Sequence, residues 1–250
     1  MSVAPDRAID APTLARGLET LSSHAERALA RGLGLSAISV PPGLARLEGT
    51  FRGAPVLLEA RAYRGPETAY ARVVEVRGSE LAIVNVLCLS APERALPILG
   101  VDLVALARDT LVAVADLSPL HPDPAVRARQ LAPLARRRRE RPLALPAGEL
   151  PAWCAEWFSP EALLTRVPAG AFPLVAEAVG IYVDAYVELA QTSEPDASAA
   201  PAISAAQTGY ARAHVEHDRG LGLLKKLFDP ALAERFLAEV LFPERTPSWP

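Results

Sequence analysis

The chain has 250 residues, of which half are apolar, and a formal net charge of −3 at pH 7. This apolar fraction allows a large buried core and excludes disorder along the whole length. The slight negative charge argues against a general nucleic-acid-binding protein, which normally presents a basic face.

Two cysteines, Cys88 and Cys154, are too few for a disulfide scaffold or a zinc site. We find no apolar stretch of about 18 residues that would predict a transmembrane helix. The N-terminus, MSVAPDRAID, also lacks the apolar segment of a secretory signal. We therefore expect a cytoplasmic protein without membrane or nucleic-acid partners, and nothing in the sequence demands more than a monomer.

The first half of the chain has the pattern of one helix followed by strands. Apolar residues at helical spacing predict a helix over residues 11–33, ending at the glycines there. Alternating segments separated by short turns that contain glycine or polar residues then predict about six strands in a mainly antiparallel sheet. These segments are a hairpin over 44–62 and the strands 70–76, 81–89, 98–106 and 110–117.

The second half is helical in pattern. Predicted helices cover 122–141, 172–190, 204–218 and 221–240, and Pro230 starts a new helical stretch within the last of these ranges. A proline-rich linker is predicted at 142–151 and an exposed loop at 192–201. Strands followed by helices predict one α+β domain over residues 1–250.

Asp116 ends the apolar run LVAVA and shares a strand face with Val112 and Val114. A carboxyl group buried on that face would have a raised pKa, which would make it a candidate proton donor near neutral pH. The sequence Asp-Leu-Ser-Pro is also typical of a turn, so Asp116 equally fits a cap. From the pattern alone both interpretations remain open.

Two further polar residues interrupt the predicted strands. Asn85 lies inside LAIVNVLCL, where it is either a satisfied core amide or a hydrogen-bond partner for a ligand beside Asp116. Glu75 lies in YARVVEV and fits an ordinary solvent-facing position at least as well as a functional one.

The remaining polar clusters and motifs give weaker predictions of function. His214, His217 and Asp218 lie in one helical segment, but without the i,i+4 histidine pair or a third ligand that would favour a metal, so no metal site is predicted. The four arginines at 136–139 fit either a solvated helix face or a docking surface for an acidic protein. Nucleotide-binding and hydrolase motifs (GxGxxG after a strand, GxxxxGKS, GxSxG) are missing.

Three stretches, taken in order, resemble the ferredoxin-dependent bilin reductases. They are LPILGVDLV followed by VAVADLSP, then LPAWCAEWFSPEALLTR, and finally YARAHVEHDRGLGLLKKLFDPALAERFLAEVLFP. The resemblance implies a three-layer α/β/α sandwich, with a central, mainly antiparallel sheet flanked by helices. It also implies a linear tetrapyrrole bound between the sheet and the C-terminal helices.

The resemblance carries implications for individual residues. Asp116 matches the proton-donating aspartate of the central sheet, and Asp218 matches the second aspartate on the C-terminal helical side. Arg166 and Arg219 match basic residues that bind the propionates, a role that suits a guanidinium group.

Asn85 stands where the phycocyanobilin-forming members have a catalytic histidine. An asparagine is similar to members that reduce the 15,16 methine bridge or make phycoerythrobilin. Glu75 corresponds to the glutamate of the phycocyanobilin formers only if the intervening turn is about two residues shorter in this chain.

The resemblance thus implies reduction of biliverdin IXα, or of a dihydrobiliverdin, to a phycobilin by sequential one-electron transfers with protons supplied by the protein. Reduced [2Fe–2S] ferredoxin would be the external electron donor, with no cofactor bound permanently. The alternatives are a non-catalytic bilin carrier and a reductase of a linear tetrapyrrole derived from chlorophyll.

Overall fold

The computed structural model describes residues 11–106, 110–217 and 220–243. Within these residues the centre is an eight-stranded sheet in the order β1-β3-β4-β5-β6-β7-β8, with β2 paired to β3. Every pairing is antiparallel. The strands are β1 (Ser36–Ile38), β2 (Arg46–Phe51), β3 (Ala54–Arg64), β4 (Thr68–Gly78), β5 (Leu81–Ser90), β6 (Ile98–Leu106), β7 (Thr110–Ser118) and β8 (Leu163–Pro168).

Helices cover both faces of the sheet. On one face pack α1 (Ala11–Leu33), α2 (Pro124–Glu140) and α3 (Phe172–Thr192). On the other pack α4 (Ala200–His217), α5 (Gly220–Leu227) and α6 (Pro230–Phe236). The predicted α/β/α sandwich is therefore confirmed.

The sequence pattern explains the hairpins well. Between β2 and β3, Arg52 and Gly53 both have positive φ, at 52° and 83°, as a two-residue turn that matches the strand twist requires. The predicted helix over 11–33 and the predicted hairpins are present, although most strands extend beyond the predicted bounds. The turn at 107–109, predicted to join β6 and β7, lies outside the described residues.

Two strands are absent from the prediction. The short β1 pairs with β3, and β8 forms the edge of the sheet beside β7. Residues 150–166 carry a motif but no predicted strand, because a strand of six residues among prolines has too weak an alternation to stand out. The new helical stretch predicted to start at Pro230 is present as α6, and the side chain of Asp229 caps it by accepting from Ala231 and Leu232.

Within the described part of the chain, Ala169–Thr192 is long and apolar enough to cross a membrane, which the sequence analysis did not predict. Ten residues of α3 are buried, and the helix contacts α1, α2 and strands β6 and β7. Its apolar character is explained by its position as a core helix of the sandwich.

Candidate active site

Two neighbouring cavities lie between the sheet and the second helical layer, with volumes of about 500 Å³ and about 330 Å³. Strands β4–β8, the segment 150–158 and α4 line the first cavity, whereas β3–β6 and α5 and α6 contribute to the second. The cavities share Asn85, Asp102 and Phe242. Their volumes are typical of small-molecule sites.

A pair of polar side chains marks the junction of the two cavities. Asn85 and Asp102 are direct partners in the register of β5 and β6, so their side chains leave the same face of the sheet. Nδ2 of Asn85 donates to Oδ1 of Asp102 over 2.9 Å. Of the two interpretations left open for Asn85, the cavity-lining one agrees with its position in both cavities. Asp102 was not singled out from the sequence, although strand alternation sets it apart from buried Val101 and Leu103.

A buried cation completes this polar line. Arg72 in β4 is only 1% exposed and lines the first cavity. Its Nε donates to the carbonyl oxygen of Leu241 at 2.9 Å, and its Nη1 donates to Oδ1 of Asn85. Arg72, Asn85 and Asp102 thus form a hydrogen-bonded line across three adjacent strands, and Arg72, like Asp102, was not identified from the sequence.

Asp116 lies in the wall of the first cavity and is 2% exposed, as its strand face predicts. Burial raises the pKa of its carboxyl group, while hydrogen bonds from Ser118 and Ser159 oppose that rise. The hydroxyl of Ser118 donates to Oδ2 at 2.6 Å, and the N–H of Ser159 donates to the same oxygen at 3.0 Å. Asp116 therefore combines both of its open interpretations, a buried acid and an anchor for a turn.

Aromatic rings form the wall opposite the sheet. His214 of α4 is buried among Trp153, Tyr210 and Phe242, with ring centroids 4.9, 4.0 and 4.7 Å away. Nδ1 of His214 lies 2.9 Å from the carbonyl oxygen of Tyr210, so this nitrogen carries the hydrogen. Such a wall suits a flat conjugated ligand, because aromatic rings stack or meet edge to face.

Comparison with known proteins decides the family. The sequence profile of the ferredoxin-dependent bilin reductases matches residues 22–243. The chain belongs to this family. It is accordingly a ferredoxin-dependent bilin oxidoreductase.

Two curated relatives cover nearly the whole bilin reductase. A 15,16-dihydrobiliverdin:ferredoxin oxidoreductase from Gloeobacter violaceus is 28% identical over 229 residues, covering 90% of this chain and 94% of the relative. A phycocyanobilin:ferredoxin oxidoreductase from Prochlorococcus marinus is 27% identical, covering 98% and 93%. Among solved structures, tomato phytochromobilin synthase in complex with biliverdin aligns with a TM-score of 0.81. It has 22% identity and covers 90% of this chain and 83% of the tomato chain, a likeness that shows the fold.

Glu75 of this bilin reductase does not lie in the cavity wall. Its side chain leaves the face of the sheet away from the cavities, as does that of Glu59, its register partner in β3. There the carboxylate of Glu75 accepts from Arg61 at 3.0 Å and from Arg77 at 2.6 Å. The solvent-facing interpretation is also wrong, since Glu75 is 5% exposed. Along β4, Arg72 and Val74 share the face that carries the cavities, so alternation places Val73 and Glu75 on the other face. This alternation explains why Glu75 lies away from the cavities.

The structure describes one of the two predicted propionate-binding residues, Arg166. Arg166 is exposed on edge strand β8, where it pairs in register with Val112 of the first cavity. It lies two residues beyond the lining residue Leu164 on the same face. Asp218 and Arg219 lie outside the described residues; the positions before and after them, His217 and Gly220, line the first and second cavity.

Most of the arginine run is engaged within the protein. Arg136 and Arg137 both bind Glu188 of α3, at 2.9 and 2.8 Å, and Arg138 binds Glu161 at 2.9 Å. The run thus fastens α2 to its neighbours, and only Arg139 of the four makes no ion pair with any residue that the structure describes. In residues 11–106, 110–217 and 220–243, no cluster of three or more His, Cys, Asp or Glu side chains is placed to hold a metal ion.

Proposed function

We propose that this bilin reductase converts biliverdin, or a dihydrobiliverdin, to a more reduced bilin by two successive one-electron transfers from reduced [2Fe–2S] ferredoxin. The observation that carries the proposal is the carboxyl group of Asp102, hydrogen-bonded to Asn85 at the junction of two cavities with an aromatic wall. The substrates named for the relatives, and the biliverdin bound by the tomato protein, support this class of ligand.

Asp102, rather than Asp116, is assigned as the sheet-side proton donor. Both acids line the first cavity, and hydrogen bonds from Ser118 and Ser159 hold the carboxylate of Asp116 at the end of β7. Asp102 lies in the middle of β6 and lines both cavities, where a ligand spanning them would pass over it. An acid placed beside the reacting atoms can give its proton in the step that needs it.

The first ferredoxin delivers one electron, and the bilin radical anion takes a proton from the carboxylic acid of Asp102, which leaves a neutral radical and a carboxylate. A second ferredoxin delivers the second electron, and a second proton reaches the bilin from the helical wall. His214 lines that wall, and Asp218 is predicted from the sequence to act there. The product gains two hydrogens, and each ferredoxin is oxidised by one electron.

The side chain of Asn85 favours reduction at a position that needs a single acid on the sheet side. An amide has no titratable proton in the physiological range, so it can orient a ligand or an acid but cannot act as a general acid itself. Because an asparagine at this position is similar to family members that reduce the 15,16 methine bridge, we propose a two-electron reduction there, for which biliverdin would be the substrate. The propionates would bind toward Arg166 and Arg219.

The test is an anaerobic assay of the purified protein with reduced ferredoxin and, in separate reactions, biliverdin and 15,16-dihydrobiliverdin. We expect biliverdin to be consumed with uptake of two electrons, and product chromatography to identify 15,16-dihydrobiliverdin. Consumption of dihydrobiliverdin alone would overturn the regiochemistry. A stable coloured complex that ferredoxin does not change would overturn the enzymatic function and favour a carrier.

A further inference from the structure

Phe242 stands between two cavities of different chemical character. The second cavity is lined by apolar side chains, apart from Asn85 and Asp102 at its junction with the first. The first cavity also carries charged groups, among them Arg72 and Asp116. Phe242 is the one residue from the helical side that lines both cavities within the described part of the chain, so it faces Asn85 and Asp102 across the passage that joins them.

The position of Phe242 is fixed through its backbone. It comes directly after the π-helical turn Leu237–Leu241, which continues α6. In β4, the side chains of Tyr70 and Arg72 donate to the last two carbonyl oxygens of that turn, each over 2.9 Å. Such turns are rare in proteins and occur often at functional sites. The sheet thus holds the segment that carries Phe242.

The ring of Phe242 is also held by its neighbours. Its centroid lies 5.5 Å from the central carbon of Arg72 and 4.7 Å from the centroid of the His214 ring. The residue is buried. The ring therefore forms a fixed wall of the passage, because it would have to break both contacts to swing away.

The two kinds of ring in a bilin fit the two cavities. Its terminal rings carry methyl and vinyl groups, whereas its inner rings carry the propionates. A carboxylate loses hydration in apolar surroundings, so the inner rings suit the first cavity, beside Arg166, and a terminal ring suits the second. The passage then holds the bridge between a terminal ring and its inner neighbour.

Reduction changes the shape of the bilin at that bridge. In biliverdin the methine carbon is trigonal, and conjugation keeps the two rings close to one plane. Hydrogen added at positions 15 and 16 makes both carbons tetrahedral and ends the conjugation between the rings, so the terminal ring tilts. In the proposed function this bridge lies beside Asp102, in the passage.

We propose that Phe242 is a specificity-determining residue. With Asn85 and Asp102 it forms a passage that accepts the flat bridge of biliverdin and disfavours the bent bridge of 15,16-dihydrobiliverdin, so the product leaves after two electrons. The inference rests on the proposed function, from which it takes the bridge that reacts. It does not depend on how Asp102 delivers its proton.

The experiment titrates the full chain with biliverdin and with 15,16-dihydrobiliverdin, anaerobically and without ferredoxin, and follows binding by absorbance. We expect the parent to bind biliverdin at least about tenfold more tightly than dihydrobiliverdin, the scale of one well-formed aromatic contact. Phe242→Ala should reduce this ratio to less than about threefold, because a wider passage accommodates the tilted ring.

Two further variants accompany Phe242→Ala. Phe158→Ala removes a ring that lines the first cavity and not the second, so it should weaken both bilins alike and keep the ratio within about twofold of the parent's. Phe242→Leu is a milder change that should lower the ratio at least about twofold, and it serves as the test if Phe242→Ala does not fold.

A parent that binds the two bilins equally would overturn the inference. So would a parent-like ratio in the Phe242 variants, or an equal loss of discrimination in Phe158→Ala. Failure of the proposed function is distinguishable, because binding is measured without ferredoxin. A parent that binds with the expected ratio, but whose biliverdin stays unchanged when reduced ferredoxin is added, would contradict the reaction and leave the role of Phe242 in binding.

Discussion

Ser159 binds the carboxylate of Asp116 twice, through its backbone N–H at 3.0 Å from Oδ2 and through its hydroxyl on Oδ1. Phe158, the preceding residue, belongs to the wall of the first cavity. The contact therefore fastens part of that wall to the end of β7. A structural role for Asp116 follows, separate from proton transfer.

Replacing Asp116 with alanine should lower the free energy of unfolding by about 1–3 kcal/mol, because buried donors of Ser118 and Ser159 lose their acceptor. Urea denaturation measures this change. Ser118→Ala, which removes one donor and leaves the acceptor, serves as the milder control. Equal stability of Asp116→Ala and the parent would show that the contact contributes nothing to the fold.

The pH dependence gives a second readout for Asp116. Burial raises the pKa of its carboxyl group above the ordinary 3.8, so the folded state holds the proton more tightly than the unfolded state. The stability from this group is fully present below pH 3.8 and is lost as pH rises through the folded pKa. The difference in unfolding free energy between the parent and Asp116→Asn should follow that course, and a difference that is constant with pH would contradict it.

Glu75→Gln should leave turnover within about twofold of the parent, because Glu75 lies on the face of the sheet away from the cavities. It should nevertheless lower stability by about 1–2 kcal/mol, since Arg61 and Arg77 lose a buried carboxylate but remain about one-third exposed. Steady-state rates and urea denaturation measure the two effects. A collapse of turnover with unchanged stability would restore the catalytic role predicted from the sequence.

Within the arginine run, Arg137 has a structural role, whereas Arg139 is a candidate residue for docking ferredoxin. Arg137→Glu would face Glu188 with a like charge and should cost about 1 kcal/mol of stability. Arg139→Glu should leave stability unchanged and raise the apparent KM for ferredoxin about three- to tenfold at low salt, with the effect fading at high salt. Arg16→Glu on α1 is the charge control. An Arg139→Glu protein with the parent's KM at low salt would remove the run from the ferredoxin interface.

Gly49 of β2 should tolerate no larger side chain. A Cβ atom there would overlap the backbone oxygen of Leu227 and lie 2.7 Å from the ring of Phe228, so α5 would have to move. We expect Gly49→Ala to lose about 1–3 kcal/mol of stability and to weaken bilin binding, because Leu223 and Leu224 of α5 line the second cavity. Gly180→Ala in α3, with open space around its Cβ, should be neutral or stabilising. Thermal unfolding and bilin titration compare the two, and equal melting temperatures would contradict the clash.

The alternation of side chains along the strands made the sheet predictable. The segments LAIVNVLCL and TLVAVADLS correspond to β5 and β7 almost residue for residue. The same alternation would have assigned Glu75 and Asn85 to opposite faces, but only once the register of β4 against β5 is known. Register comes from the length of the turn between strands, which the composition of that turn does not fix.

Asp102 and Arg72 were missed for a different reason. Each sits in an apolar strand at a position where alternation permits either solvent or a cavity, and a sequence does not reveal which helices cover that face. The cover comes from α4, α5 and the segment around Phe242, which lie far later in the chain. The sequence signal that would have identified Arg72 and Asp102 is a charged residue between apolar neighbours in a central strand.

The most direct test of the account is the fate of the bilin radical in Asp102→Asn. The variant is mixed anaerobically with biliverdin and reduced ferredoxin, and the radical is followed by absorbance and by electron paramagnetic resonance, with Asp116→Asn in parallel. We expect Asp102→Asn to bind biliverdin and accept an electron but to accumulate the radical without forming product, while Asp116→Asn turns over. Normal product formation by Asp102→Asn, with the radical accumulating instead in Asp116→Asn, would contradict it and move the proton donor to β7.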